Sequence, residues 1–363
     1  MSGSSLSGPS LVESTVVNVD ADQTRAGLVL RVISFVPMFD FFIALGFRVE
    51  EIFPADSPRR ATLVGFGTRV HLEEGDANPA VIRITSERPQ EEMVAPDGTC
   101  IEFVPHTSPI EYPPLESSLC ITSPTEGWHA GRAGMLYRDL VPGRQGNCVI
   151  ASHIRIPSGG PVPDYVHFHE VGFQLIFCHR GWVEVLYEGQ GEPFVLNAGD
   201  CVIQPPQIRH RVLRSSDEMY VVEVGYPAEH VTKADPRTSL PSPRLPENHQ
   251  WSGQRFIRYR AEGATWNELG GVRSSDTGIE AATGGLADVR IIRGETGRTW
   301  STDPTPAKRF RMIFVLDGST TVRVGDASTS ASTSTTIVVP VGECAEVTFL
   351  QESQLLVVDI ETI

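Results

Sequence analysis

The chain has 363 residues and a formal net charge of −15 at neutral pH. That length holds two or three domains of roughly 100–200 residues each, with several cores, so neither a disulfide nor a structural metal is needed for folding alone. The acidic balance gives no broad claim on nucleic acid or an anionic membrane, no helix-turn-helix pattern or basic patch is visible, and no apolar run reaches the roughly 20 residues of a membrane span. Residues 1–14 (MSGSSLSGPSLVES) do not have the basic-then-apolar plan of a signal peptide. The six cysteines are scattered without a CxxC pair. Both features lead to the expectation of a cytoplasmic protein with reduced cysteines.

In chain order, residues 1–24 read as a disordered tail rich in Ser, Gly and acidic side chains. Over 25–106, alternating apolar runs predict strands at 28–34, 47–53, 61–65, 69–73, 81–85 and 100–104. One helix is predicted over 37–45 (PMFDFFIAL), with Pro37 at its start and Gly46 at its end. Residues 107–146 are Pro-rich and irregular and read as a linker that wraps the next domain. A strand-rich domain occupies 147–227, a Pro-, Ser- and charge-rich linker 228–250, and a second strand-rich part 251–363.

The two strand-rich parts repeat each other. Phe173-Gln-Leu-Ile-Phe-Cys-His-Arg-Gly181 lines up with Phe310-Arg-Met-Ile-Phe-Val-Leu-Asp-Gly318, and Cys201-Val-Ile-Gln-Pro205 with Thr336-Ile-Val-Val-Pro340. Such self-similarity predicts two β-barrels in place of one long sandwich. The expected fold class is mainly β, with a smaller α+β module of βαβββ order at the N-terminal side.

The chemistry concentrates in the first barrel. His167 and His169 stand i, i+2 on a strand and so point to one face. Gly199-Asp-Cys-Val-Ile-Gln-Pro205-Pro-Gln-Ile-Arg-His210 delivers a third histidine from a different strand, and Gln174 follows the His pair at close range. Strand parity places Ile176 and Cys178 with Gln174, Val212 with His210, and Tyr165 with the His pair, as an apolar pocket wall around the polar cluster.

This arrangement resembles the two motifs of the cupin superfamily over the whole strand-rich domain. It departs from them at Gln174, where the family carries Glu, at Gln207 for Gly, at Arg214 for Asn, and in a gap from Gly160 to His167 that is one residue longer. The resemblance implies a divalent transition metal at His167, His169 and His210, with Fe(II) first and Mn, Ni, Cu or Zn as the other options. Gln174 is either a neutral fourth ligand or a partner that hydrogen-bonds a metal-bound group. Three neutral imidazoles would leave a charge of about +2, suited to enolates, phenolates and carboxylates. In the second barrel the aligned positions are Pro304, Pro306, Arg311 and Ala345, which cannot hold a metal. That barrel is expected to be structural.

Resemblance to cupin dioxygenases implies oxygen-dependent cleavage of a small aromatic or enolisable substrate, with Gln174 and Tyr165 as the catalytic candidates. The alternatives are a Zn- or Ni-dependent isomerase or cyclase, and a non-catalytic small-molecule-binding bicupin. A Lewis-acid isomerase needs a general base. None is evident near the ligands, since Glu170 lies on the opposite strand face from His169, so the reading leans to dioxygenase.

The helix–Leu45-Gly46-Phe47–strand succession and the later Pro96-Asp97-Gly98-Thr99-Cys100-Ile101-Glu102-Phe103 resemble one module of the glyoxalase superfamily. That resemblance implies a metal ligand at Glu102 and another on the first strand, where only Arg31 is polar. Such sites need two modules, so this one is expected to be a scaffold or dimerisation unit, and a homodimer is expected.

Overall fold

A computed structural model of the chain describes residues 25–76, 81–86, 91–94, 100–105, 109–124, 127–131 and 134–363. The expected tail at 1–24 and the Pro96–Thr99 part of the motif lie outside these residues.

The N-terminal module consists of β1 (Arg25–Val32), α1 (Phe35–Ala44), β2 (Arg48–Phe53), β3 (Arg60–Gly65), β4 (Thr68–Glu74), β5 (Val81–Thr85), β6 (Met93–Val94) and β7 (Cys100–Val104). Its strands lie in the order β2-β3-β4-β1-β5-β7-β6, with β1 parallel to β4. The helix begins two residues before Pro37, which sits in the first turn, where a missing N–H leaves no bond unmade. Gly46, at φ 100°, lets the chain leave the helix through a conformation other residues avoid. Phe35, Met38, Phe39 and Phe42 pack from α1 onto Leu63 and Leu72 of the sheet.

The stretch at 107–146 does more than wrap. Within it, β8 (Cys120–Thr122) pairs with Thr336–Val338 of the second strand-rich part. β9 (His129–Ala130) and β10 (Leu136–Asp139) extend a sheet of the first.

The first strand-rich domain continues with β11 (Ile150–Ile156), β12 (Gly160–Pro161), β13 (His167–Glu170), β14 (Phe173–Arg180), β15 (Trp182–Tyr187), β16 (Phe194–Asn197), β17 (Cys201–Ile203), β18 (His210–Ser215), β19 (Met219–Tyr226) and β20 (Val231–Ala234). One sheet runs β16-β15-β18-β13-β20 and the other β17-β14-β19-β11-β10-β9. Among the described residues no ladder joins the two sheets, so the expected closed barrel is an open jelly-roll sandwich. The first sheet does not stop at β20. It continues into the N-terminal module, because β20 pairs with β2 (Glu51 opposite Lys233, Ile52 opposite Thr232).

The second strand-rich part repeats this plan in register. Leu175, Ile176 and Phe177 face Ile203, Val202 and Cys201, just as Met312, Ile313 and Phe314 face Val338, Ile337 and Thr336. Each copy has a bulge at the same place, between Cys178 and Arg180 and between Val315 and Asp317. Each turns at a glycine with positive φ, Gly181 and Gly318, where a Cβ would collide with the hydroxyl of Ser216 or Ser353. The two copies pack back to back. Their shared core holds Phe173, Leu175, Phe177 and Val224 of one copy against Phe310, Met312, Phe314 and Val358 of the other. Burial of this kind, at roughly 25 cal/mol per Å² of apolar surface, favours the contact between the two copies. No helix among the described residues is long and apolar enough to cross a membrane.

Candidate metal centre

His167 and His169 leave β13 on one face, and His210 opens β18 directly opposite His167. All three are buried, at 1, 6 and 4% exposure. One nitrogen from each ring lies within 4.8 Å of the others, and theirs is the one such group of metal-ligating side chains among the described residues. The ring centroids of His167 and His210 are 4.2 Å apart, and His169 is 5.2 Å from His210.

The other ring nitrogens are tied to the protein. His167 Nδ1 donates to the Tyr165 carbonyl at 2.8 Å, and His210 Nδ1 to the Ile208 carbonyl at 3.0 Å. A carbonyl oxygen only accepts, so the proton sits on Nδ1 and Nε2 is the ring's acceptor nitrogen. His169 Nδ1 meets the Thr232 hydroxyl at 2.8 Å. Thr232 lies on β20, the strand that carries the sheet into the N-terminal module.

The three histidines open on a cavity of about 100 Å³ whose apolar wall includes Ile154, Ile156, Val185 and the expected Ile176 and Val212. Cys178 is fully buried behind that wall, its thiol pushed up to about 12 by burial and its sulfur near the Gly181 carbonyl. Tyr165 touches His167 edge-on at 5.8 Å, but its side chain lines the groove beside the N-terminal module, away from the His cavity.

Gln174 is buried, and its Nε2 donates to Glu223 Oε1 at 2.5 Å. Its Oε1 is buried without a hydrogen-bond partner, as is that of Gln204. Lone buried carbonyl oxygens of this kind call for a donor or a cation. With three neutral imidazole donors, they make a site that fits a divalent transition metal with open positions.

Glu223 corrects an expectation. It lines the cavity, so a carboxylate stands near the ligands, and the charge of about +2 expected from neutral donors is partly offset. The clue was a lone acid in the apolar strand Met219–Tyr226, on the face of Val221 and Gly225. Gln174 pairs with Gly225 across the ladder, which puts Glu223 at the diagonal position. Further polar and aromatic cavity residues were missed, Tyr187 and His230 among them. Tyr187 accepts a hydrogen bond from Gln204 Nε2 at 2.7 Å and stacks at 5.4 Å on His210. His230 meets His169 edge-on at 5.3 Å, and burial keeps its pKa below the usual range.

Glu102 receives Arg83 Nη2 at 2.7 Å, and Arg83 also reaches Glu73 at 2.6 Å. It therefore belongs to an ion-pair network, and Arg31 approaches the same network at 4.0 Å from Glu73.

Residues 152–225 match the family model of the cupin domain. Among solved structures, the chain is similar to a variant of salicylate 1,2-dioxygenase from Pseudoaminobacter salicylatoxidans. The identity is 14% and the TM-score 0.51, over 69% of this chain and 85% of that one. A gentisate adduct of the same dioxygenase aligns at 16% identity and TM-score 0.50, over 69% and 83%. Protein Ylba from E. coli aligns at 10% identity and TM-score 0.50, over 70% and 96%. A search of curated proteins gave no match. At these identities the likeness is one of fold: a mainly β, cupin-type jelly-roll architecture.

Proposed function

We propose that this chain is a metal-dependent cupin enzyme. In this reading His167, His169 and His210 hold one divalent transition metal, Fe(II) first, and the substrate is a small aromatic or enolisable molecule consumed in a dioxygenase reaction. The observation that carries the reading is the convergence of three buried imidazoles on an apolar cavity, two with Nδ1 committed to a carbonyl and the third to the Thr232 hydroxyl. When bound, such a metal supplies a Lewis-acidic centre for anionic oxygen donors and, if redox-active, a means of using O₂.

The chain's own residues have separate tasks. Ile176 and Val212 exclude water and take the face of a ring. Glu223, held by the Gln174 amide, accepts a proton from an acidic O–H or C–H of the substrate, and the electron pair stays on the substrate atom. The carbonyl oxygen of Gln204 accepts from donors in the cavity.

Glu223 also favours a second reading, a Zn- or Ni-dependent isomerase or cyclase, since that chemistry requires a base of this kind. Metal analysis of the purified protein and of His167→Ala separates the readings. One equivalent of Fe, Mn or Cu, lost in the variant, supports the dioxygenase. One equivalent of Zn supports the isomerase, and metal content indifferent to the substitution sinks both. The proposal includes a homodimer, which the exposure of Ile33, Val36, Phe41 and Phe66 (83, 60, 54 and 79%) supports and sedimentation would test.

A further inference from the structure

The His cavity is not built by the cupin alone. Pro54, Ala55 and Asp56, from the connection between β2 and β3 of the N-terminal module, line it together with the histidines. Two ion pairs hold this connection. Asp56 Oδ2 accepts from Arg144 Nη2 at 2.6 Å, with side chains only 12 and 16% exposed. Arg59 Nη2 donates to Glu229 Oε1 at 2.7 Å, nearer the surface.

Arg144 is presented by an unusual piece of backbone. Gly143, Arg144, Gln145, Gly146 and Asn147 all have positive φ, at 76, 50, 50, 78 and 62°. Side chains other than glycine avoid that region because Cβ crowds the following carbonyl. Such a run persists only where its surroundings over-determine it. Here Gln145 is buried, its Oε1 accepts from Ser118 N at 2.7 Å, and its carbonyl accepts from Glu116 N at 3.0 Å. A Cβ at Gly146 would lie 2.6 Å from the Glu116 side chain. The product of this strained turn is an arginine aimed at the residue beside the cavity wall.

At about 100 Å³ the cavity is well below the roughly 300–1,000 Å³ of ordinary ligand sites. The position of each wall therefore decides what fits. Pro54 has little freedom and Asp56 is committed to Arg144, whereas Ala55 contributes only a methyl group.

We propose that the β2–β3 connection is the size-setting wall of the metal cavity, with Ala55 as its specificity-determining residue and the Arg144–Asp56 pair as the latch that holds it. The ligand it admits is a single small ring or short chain bearing an anionic oxygen. This rests on the metal reading of His167, His169 and His210.

The test uses the full chain loaded with Co(II), whose visible absorption reports ligands, and two probes, azide and catechol. Ala55→Trp should bind azide within twofold of the native protein and catechol at least tenfold more weakly. Arg144→Met should raise hydrogen exchange at residues 54–59 at least tenfold, with or without metal, and speed catechol association at least threefold. Should Ala55→Trp not fold, Ala55→Leu and Arg144→Met carry the test. Catechol binding unchanged in the Ala55 variants overturns the wall, and unchanged exchange in Arg144→Met overturns the latch. A native protein that takes azide but not catechol overturns the ligand class. Cobalt bands that survive in His167→Ala overturn the metal reading and this inference with it.

Discussion

The two strand-rich repeats of this chain share strand order, register and even the position of a bulge, and they differ in what fills the inner face. In the first, His167, His169, His210 and Glu223 line a cavity, with Gln174 bonded to Glu223. In the second, the position of Gln174 is Arg311, whose Nε and Nη2 donate to Asp359 at 2.7 and 3.1 Å while Nη1 donates to the Asp303 carbonyl at 2.6 Å. The remaining volume is packed with Trp300, Ile313, Val347 and Phe349. The lesson is that the jelly roll supplies a pair of facing sheets and nothing chemical. Function resides in the few inward side chains, and once these are lost the same interior closes as core.

Substitution at the ligands should break the comparison most sharply. His167→Ala is expected to abolish metal retention, with affinity reduced more than about 100-fold, beyond the roughly 10–100-fold typical when a ligand's hydrogen-bond partner is lost. Pro304→Ala, the aligned change in the second repeat, should leave metal content unchanged by elemental analysis. Chelation of the native protein should lower its stability by about 2.7 kcal/mol relative to metal at 100 times its dissociation constant, and the His167 variant should not respond.

Next in size is the ion pair that replaced the site. Arg311→Met strands Asp359, at 8% exposure, and should cost about 3–5 kcal/mol in urea unfolding. The double change Arg311→Met/Asp359→Leu should recover most of this, because a packed apolar pair substitutes well for a buried ionic one. If the double variant remained as unstable as the single one, the ion pair would be holding more than its own charges.

Thr232→Val should weaken metal binding by roughly 10–100-fold, measured by competition with a chelator, since it removes the partner of His169 Nδ1. A stability loss without an affinity loss would reduce Thr232 to a packing role.

The ligand triad was legible because its signals are local. Two histidines at strand spacing, a Gly- and Pro-punctuated turn and a third histidine at fixed distance need no knowledge of distant segments, and the repeat was readable from aligned apolar runs. Glu223, Thr232, His230 and Pro54–Asp56 were not, because each reaches the cavity or one of its histidines through strand pairing or domain contact across tens of residues. The turn at 143–147 was invisible for another reason: three non-glycine residues at positive φ contradict local preference and are held there only by tertiary contacts.

The smallest expected effect concerns the face where the two repeats meet. His153 pairs across its ladder with Val222, and Ile291 with Leu356 in the same position of the second copy. One copy thus brings an imidazole to the shared interior where the other brings an isoleucine. Arg138 Nη2 donates to His153 Nδ1 at 3.2 Å, and a guanidinium cannot accept. His153 Nε2 therefore carries the proton and donates to His179 Nδ1 at 3.0 Å, and His179 Nε2 donates to the Leu316 carbonyl at 2.8 Å. Burial is the main cause that lowers the pKa of both rings. In His153, where neighbouring His179 and Arg138 lower it further, the result is about 2, while in His179 the bond to the Leu316 carbonyl opposes the shift. The unfolded chain takes up a proton at His153 below about pH 6.5, and the folded chain does so only near 2. Stability contributed by this group is complete above pH 6.5 and declines as pH falls toward 2, with a slope of at most about 1.4 kcal/mol per pH unit. His153→Gln keeps an acceptor for Arg138 but does not titrate. Urea midpoints at pH 7, 6 and 5 should fall less steeply in this variant than in the native protein, and equal slopes would mean that the acid sensitivity lies elsewhere in the chain.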